Sequence, residues 1–228
     1  MLRRINNLAN LIGALRRALG HPAAAWRAVR GYFGADRWKR AEPVTDRDAL
    51  RRFLESRASY VTQTSLYGYL RTRAGMRYPQ LFANDEFVRA IEIAKWQMWF
   101  ACLSDLSVYA GGLVARRSGA ERERVTYLMR ATIEAILGAS AGGQDRERAE
   151  KLRARIAHAD WAAVPDDATP FSESPRTLVQ CAPIVEELKQ LDEEIVRNSV
   201  RFRWQEVRRE LRRDLDAKAL MASEASQA

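Results

Sequence analysis

Cysteine and histidine are scarce in this sequence, with Cys102, Cys181, His21 and His158 as the complete set among 228 residues. A disulfide framework is excluded by that count, and a tetrahedral structural zinc site would consume all four. No stretch alternates polar and apolar residues with period two, which removes the pattern of a half-buried sheet, and no internal repeat is visible. No phosphate-binding glycine loop, dinucleotide fingerprint or metal-ligand spacing occurs, so neither a metal nor a cofactor is expected. What is abundant is the material of cores and helices. Hydrophobic residues make up 47% and charged residues 29%, a balance that rules out wholesale disorder and fibrous architectures. The length suits one domain with an appendage.

The charge is unevenly placed. Lys and Arg number 38 against 29 Asp and Glu, a formal net charge of +9. Residues 1–40 hold nine of the cations and a single acid, Asp36, so they account for +8. The other 188 residues, with 29 cations and 28 anions, are nearly neutral. The basic arm is patterned as well as charged. Ile5, Leu8, Ile12, Leu15 and Leu19 recur at steps of three and four and so share one face of a helix. Pro22 suits the first turn of a second helix, on which Trp26, Val29 and Phe33 share a face.

Arg3, Arg4, Arg16, Arg17, Arg27 and Arg30 beside this stripe, with Trp26 and Phe33, match a helix lying in a membrane interface. Cations there meet anionic lipid at about 1 kcal/mol each. The expected partner is an anionic membrane surface or another protein. Docking of the stripe on the rest of the chain and organelle targeting stand as alternatives. Nucleic acid is a further one, although phosphate binding has no need of five regularly spaced aliphatics.

A break at Glu42-Pro43 leads into a helical body. Thr45-Asp46-Arg47-Asp48 reads as a helix start with a capping hydroxyl. That helix runs to Arg73, stops at Gly75, and places Leu50, Phe53, Leu54, Val61 and Leu66 on its apolar face. Asn84-Asp85-Glu86 opens a second helix that is apolar almost all round. Its stretch Trp96–Ala115, 20 residues between Lys95 and Arg116-Arg117, has the length and flanks of a membrane span. Gln97, Ser104, Asp105, Ser107, Gly111 and Gly112 favour a buried central helix instead, because a mid-span aspartate costs about 2.5 to 3.5 kcal/mol.

Amphipathic helices over Ala120–Leu137 and Asp145–Asp160 follow, and residues 163–182, rich in Pro, Asp and Ser, read as a linker or loop. Ile184, Leu188, Leu191 and Ile195 then repeat at four, three and four, and Trp204, Val207, Leu211 and Leu215 continue a stripe. One long helix over 183–220 is expected, packed on the core or on a partner in coiled-coil fashion. The expected architecture is therefore all-α. It has an arm at 1–40, a helical core at 45–162 around the buried apolar helix, the linker, and the C-terminal helix.

The sharpest chemical pattern is Gly138-Ala139-Ser140-Ala141-Gly142, a literal G-x-S-x-G nucleophile elbow. His158 could serve as its base, with Asp160 or Asp166 to orient the ring. Such an elbow follows a strand, whereas residues 126–137 read as helix, so a helix-to-helix loop is the favoured reading and a serine esterase the alternative. His158 alone reads as a helix-end residue. Asp105 is the better anomaly, because a carboxylate in an apolar helix must find a partner or hold its proton. Tyr60, Tyr67, Tyr69, Arg71 and Arg73 are the neighbours expected for it. Cys102, one turn earlier, reads as packing.

The segments SRASYVTQTSLYGYLRTRAGMRYPQLF at 56–82 and IAKWQMWFACLSDLSVYAGGLV at 93–114 resemble a family of small helical proteobacterial proteins, some of them labelled esterase. The resemblance covers about the middle third of the chain and implies a bacterial origin and a shared helical core. It carries over no catalytic residue, since neither segment includes Ser140. The function expected is non-enzymatic, as an adaptor, assembly or scaffold protein at the cytoplasmic face of the membrane.

Overall fold

The computed structural model describes residues 43–140 and 145–225. Helix α1 (Arg47–Ala74) starts where the Asp46 carboxylate accepts the Ala49 N–H at 2.8 Å, so a carboxylate and not the Thr45 hydroxyl is the cap. It ends on Gly75, whose φ of +53° is open to glycine and strained for other residues. A 3₁₀ turn (Gly75–Arg77) and the short α2 (Tyr78–Leu81) lead to α3 (Asp85–Ser118). Asn84 caps α3 by accepting from the N–H groups of Glu86 and Phe87. Then come α4 (Arg122–Ser140), α5 (Arg146–Ala157), α6 (Glu173–Cys181), α7 (Glu186–Asp214) and α8 (Ala217–Ala225). Among the described residues there is no strand, only an isolated backbone bridge between Val44 and Leu215. The protein is an all-α helical bundle.

Helix α3 is the axle of this bundle. It packs against α1, α4, α5, α6 and α8, and every residue from Met98 to Ser107 is buried. That encirclement explains a helix that is apolar almost all round. It is long and apolar enough to cross a membrane, and 94% of its most apolar window lies inside the protein's own packing. Helix α1 runs antiparallel to it, with the Trp99 indole N–H donating to Ser59 Oγ at 3.1 Å. Helices α1 and α7 are antiparallel too, joined by Arg57–Glu210 at 2.6 Å near one end and Tyr69–Asp192 at 2.9 Å near the other.

The two glycines of α3 have a steric purpose. A Cβ on Gly111 would lie 2.3 Å from the Trp161 ring, and one on Gly112 would lie 2.6 Å from Val164. The segment after α5 is thereby pressed onto α3, with Trp161 buried and its indole N–H donating to Thr126 Oγ1 at 2.8 Å.

Two sequence expectations need correction, and one needs splitting. Residues 163–172 are loop, but not a free linker, and Glu173–Cys181 is helix: Phe171 is buried between Tyr109 and Trp204, at ring-centroid distances of 5.1 and 4.7 Å, and α6 packs on both α3 and α7. Composition misleads there because Pro and Ser belong to helix starts as much as to loops. The C-terminal helix is not continuous. The Val44 N–H donates to the Asp214 carbonyl at 2.8 Å and the Asp216 N–H to the Val44 carbonyl at 3.1 Å, which interrupts the helix before Asp216 caps α8. The expected stripe on α7 divides in two. The face turned to the core carries Asp192, Val196, Val200, Trp204, Val207 and Leu211, while Leu191 and Ile195 are 76% and 72% exposed.

Candidate functional site

Asp105 is fully buried at the centre of α3, and its surroundings form the most concentrated polar arrangement in the described core. Its carboxylate accepts the Ser174 N–H and the Ser174 hydroxyl, both at 2.8 Å, and the Glu173 N–H at 3.3 Å. Those are the first donors of α6. Ser172, at the N-cap position, makes no side-chain capping bond. A residue from 67 positions earlier in the chain thus does the work a local cap normally does, with its charge at the positive end of the helix dipole.

Arg155 completes the node. Its guanidinium donates to Asp105 at 3.3 Å, to Ser104 Oγ at 2.6 Å and to Glu173 at 2.6 Å. The Trp204 indole N–H donates to Ser174 Oγ at 2.9 Å, so α3, α5, α6 and α7 all meet at one network. Burial raises the Asp105 pKa, and the hydrogen bonds from Ser174 and the Arg155 charge offset only part of this, leaving it at about 6.

The partners expected for Asp105 are elsewhere. The Trp99–Ser59 contact sets the antiparallel register of α1 and α3, and that register carries position 105 away from Tyr67 and Arg71. Tyr67 is half-buried, near Glu92 and Tyr78, and burial pushes its phenol up. Arg71 is exposed and faces Tyr78. Tyr69 and Arg73 bind Asp192 of α7. Cys102 is buried, with its thiol pushed well above the ordinary range by burial, and burial lifts Cys181 to about 11, so neither is poised as a thiolate.

Beside the node, Arg148, Arg155, Ser172, Glu173, Arg176 and Gln180 line an open cleft of about 390 Å³. Two of its arginines are already committed, Arg148 to Asp145 at 2.8 Å and Arg155 as above. A second polar knot is centred on Asp166. Asp166 accepts from the Tyr109 hydroxyl at 2.7 Å and from Arg212 at 2.7 Å, and Arg208 sits over the Tyr109 ring. No group of three or more His, Cys, Asp and Glu among the described residues could hold a metal ion.

Ser140, His158 and Asp160 are not assembled into a triad. Ser140 is the last residue of α4, so a helix precedes it where the elbow needs a strand, and residues 141–144 lie outside the described residues. Helices α4 and α5 form an antiparallel pair, with Glu134–Arg153 at 2.6 Å and the Arg122 guanidinium on the Ala159 carbonyl at 3.1 Å. His158 therefore sits at the far end of the pair from Ser140, about 18 Å away over the 12 residues of α5. It is exposed, and its Nδ1 meets the Ala154 carbonyl at 2.8 Å, as a helix-end residue does. Asp166, the other suggested orienter, is taken by Tyr109 and Arg212.

The arm residues Arg3, Arg4, Ile5, Leu8, Ile12, Leu15, Arg16, Arg17, Trp26, Arg27, Arg30 and Phe33 lie outside the described residues. Comparison with known proteins returns no matching family model, no matching curated protein and no matching solved structure. Function is therefore read from this chain's own residues. Sequence reasoning missed Ser174 and Arg155 as partners of Asp105, and Trp204 as the donor to Ser174. The signal that was present is Ser172-Glu173-Ser174-Pro175, a helix start with proline in the first turn.

Proposed function

We propose that this protein is a non-enzymatic helical adaptor, an assembly or scaffold protein held at the cytoplasmic face of a membrane through its basic arm. The observation that carries this reading is the segregation of charge: +8 of the net +9 lies in residues 1–40, alongside the Ile5–Leu19 stripe. A cationic helix with an apolar face gains on both counts at an anionic bilayer surface. Two further observations support it. The one helix among the described residues long and apolar enough to cross a membrane has 94% of its most apolar window buried in the core. The polar groups best placed for chemistry are spent too, Asp105 on capping α6 and Asp166 on Tyr109 and Arg212.

The test is co-sedimentation of the full chain with phosphatidylglycerol vesicles. Binding is expected at low and moderate salt, and replacement of Leu8, Ile12 and Leu15 together by Asp is expected to weaken it at least about tenfold. Removal of residues 1–40 should abolish binding while leaving the helical circular dichroism of the body intact. Equal vesicle binding by the triple variant and the wild type would overturn the proposal.

A further inference from the structure

Helix α7 carries a second apolar face that no element among the described residues covers. Leu191, Ile195 and Phe202 are 76%, 72% and 72% exposed, and with half-buried Leu188 they follow steps of three, four and seven. Those are the spacings of a coiled-coil seam. The buried row through Val196, Val200, Trp204, Val207 and Leu211 lies on a different side of the same helix. We infer that the outward row is an interface for a second copy of this chain, with the two α7 helices packed antiparallel.

Charge selects this occupant and this direction. From 186 to 194 the helix carries Glu186, Glu187, Glu193 and Glu194 outside the core against Lys189 alone, Asp192 being turned inward to Tyr69 and Arg73. From 197 to 213 it carries seven arginines against Glu206 and Glu210; Arg201, Arg209 and Arg213 are exposed, while Arg197, Arg208 and Arg212 are engaged within the chain. A helix that is acidic in one half and basic in the other complements itself when reversed and repels itself when parallel. The register that seats Leu191 on the partner's Phe202 places the two-fold axis between Val196 and Arg197, at the acid-to-base boundary. It also sets Glu194 beside the partner's Arg201, on the flank of the seam. The row is short compared with a standard interface, so a weak, concentration-dependent dimer is expected.

Sedimentation of the full chain from about 1 to about 100 μM is the test. The wild type is expected to pass reversibly from monomer to dimer. Ile195→Glu should weaken association at least about tenfold with an unchanged melting temperature, since the side chain is exposed in the monomer. Glu194→Arg and Arg201→Glu should each weaken the dimer, and the double variant should restore it, because each lost pair is then remade in reverse between copies. A wild type that stays monomeric at about 100 μM, or a dimer that Ile195→Glu leaves unchanged, would overturn the inference. So would an Ile195→Glu defect in vesicle binding by a chain that is monomeric throughout.

Discussion

Asp105 and Asp166 are both held by arginine, yet their environments send them in opposite directions. Burial pulls both up, but at Asp166 the hydrogen bonds from Tyr109 and Arg212 outweigh it and hold that carboxyl below its ordinary value. At Asp105 burial wins, and the pKa stands at about 6 against 3.8. A raised carboxylate pKa adds stability that is fully present below the unfolded value and lost as pH climbs through the folded one. Asp166 behaves conversely, its contribution disappearing in acid. Over the 3.8 to 6 interval the Asp105 effect amounts to about 3 kcal/mol at 1.36 kcal/mol per pH unit. Urea unfolding should therefore show the wild type gaining up to about 3 kcal/mol on an Asp105→Asn variant between pH 7 and pH 4. An advantage that shrank on acidification would contradict this account of the node. The anomaly of Asp105 was readable from its place in an apolar run. Its partners were not, because they depend on the register between α1 and α3 and on a helix hidden in a Pro- and Ser-rich stretch.

Elements with a local cap could be read directly: Asn84, Asp145 and Gly75 mark the ends of α3, α5 and α1. So could the face of α1, whose expected apolar residues Leu50, Phe53, Leu54, Val61 and Leu66 are all buried. Helix α6 lacks a capping side chain of its own, which is the physical reason it escaped notice. The face of α7 was misread because its core row includes Asp192, a charge that becomes an inward residue only once Tyr69 and Arg73 are beside it. At this scale the glycines of α3 give a sharp expectation. Alanine favours an α-helix over glycine by about 1 kcal/mol, yet Gly111→Ala should lower stability by about 1 to 3 kcal/mol because its methyl meets the buried Trp161 ring. Gly138→Ala, with nothing within 4 Å of its Cβ, is the control and should be neutral or stabilising in the same thermal unfolding experiment. A stabilised Gly111→Ala variant would show that the loop is not seated as described.

The net charge of the chain is concentrated in residues 1–40, and the described bundle begins just beyond them, with Val44 near its start. The Val44 backbone exchanges hydrogen bonds with both sides of the α7–α8 break, so the beginning of the described chain is tied to its far end. Val44→Pro removes the donated bond and should cost about 1 to 2 kcal/mol. The Asp216 amide should then lose protection from hydrogen exchange while the α3 amides keep theirs, and unchanged Asp216 protection would refute the tie. The same clasp decides how mechanical load enters the protein. Tension applied to the backbone at Val44 would meet its two hydrogen bonds before it reached α1, and would meet them at the end of α7, not at the axle. A pull at Val44 would thus be felt first by the C-terminal helices, before α1 and the core are strained.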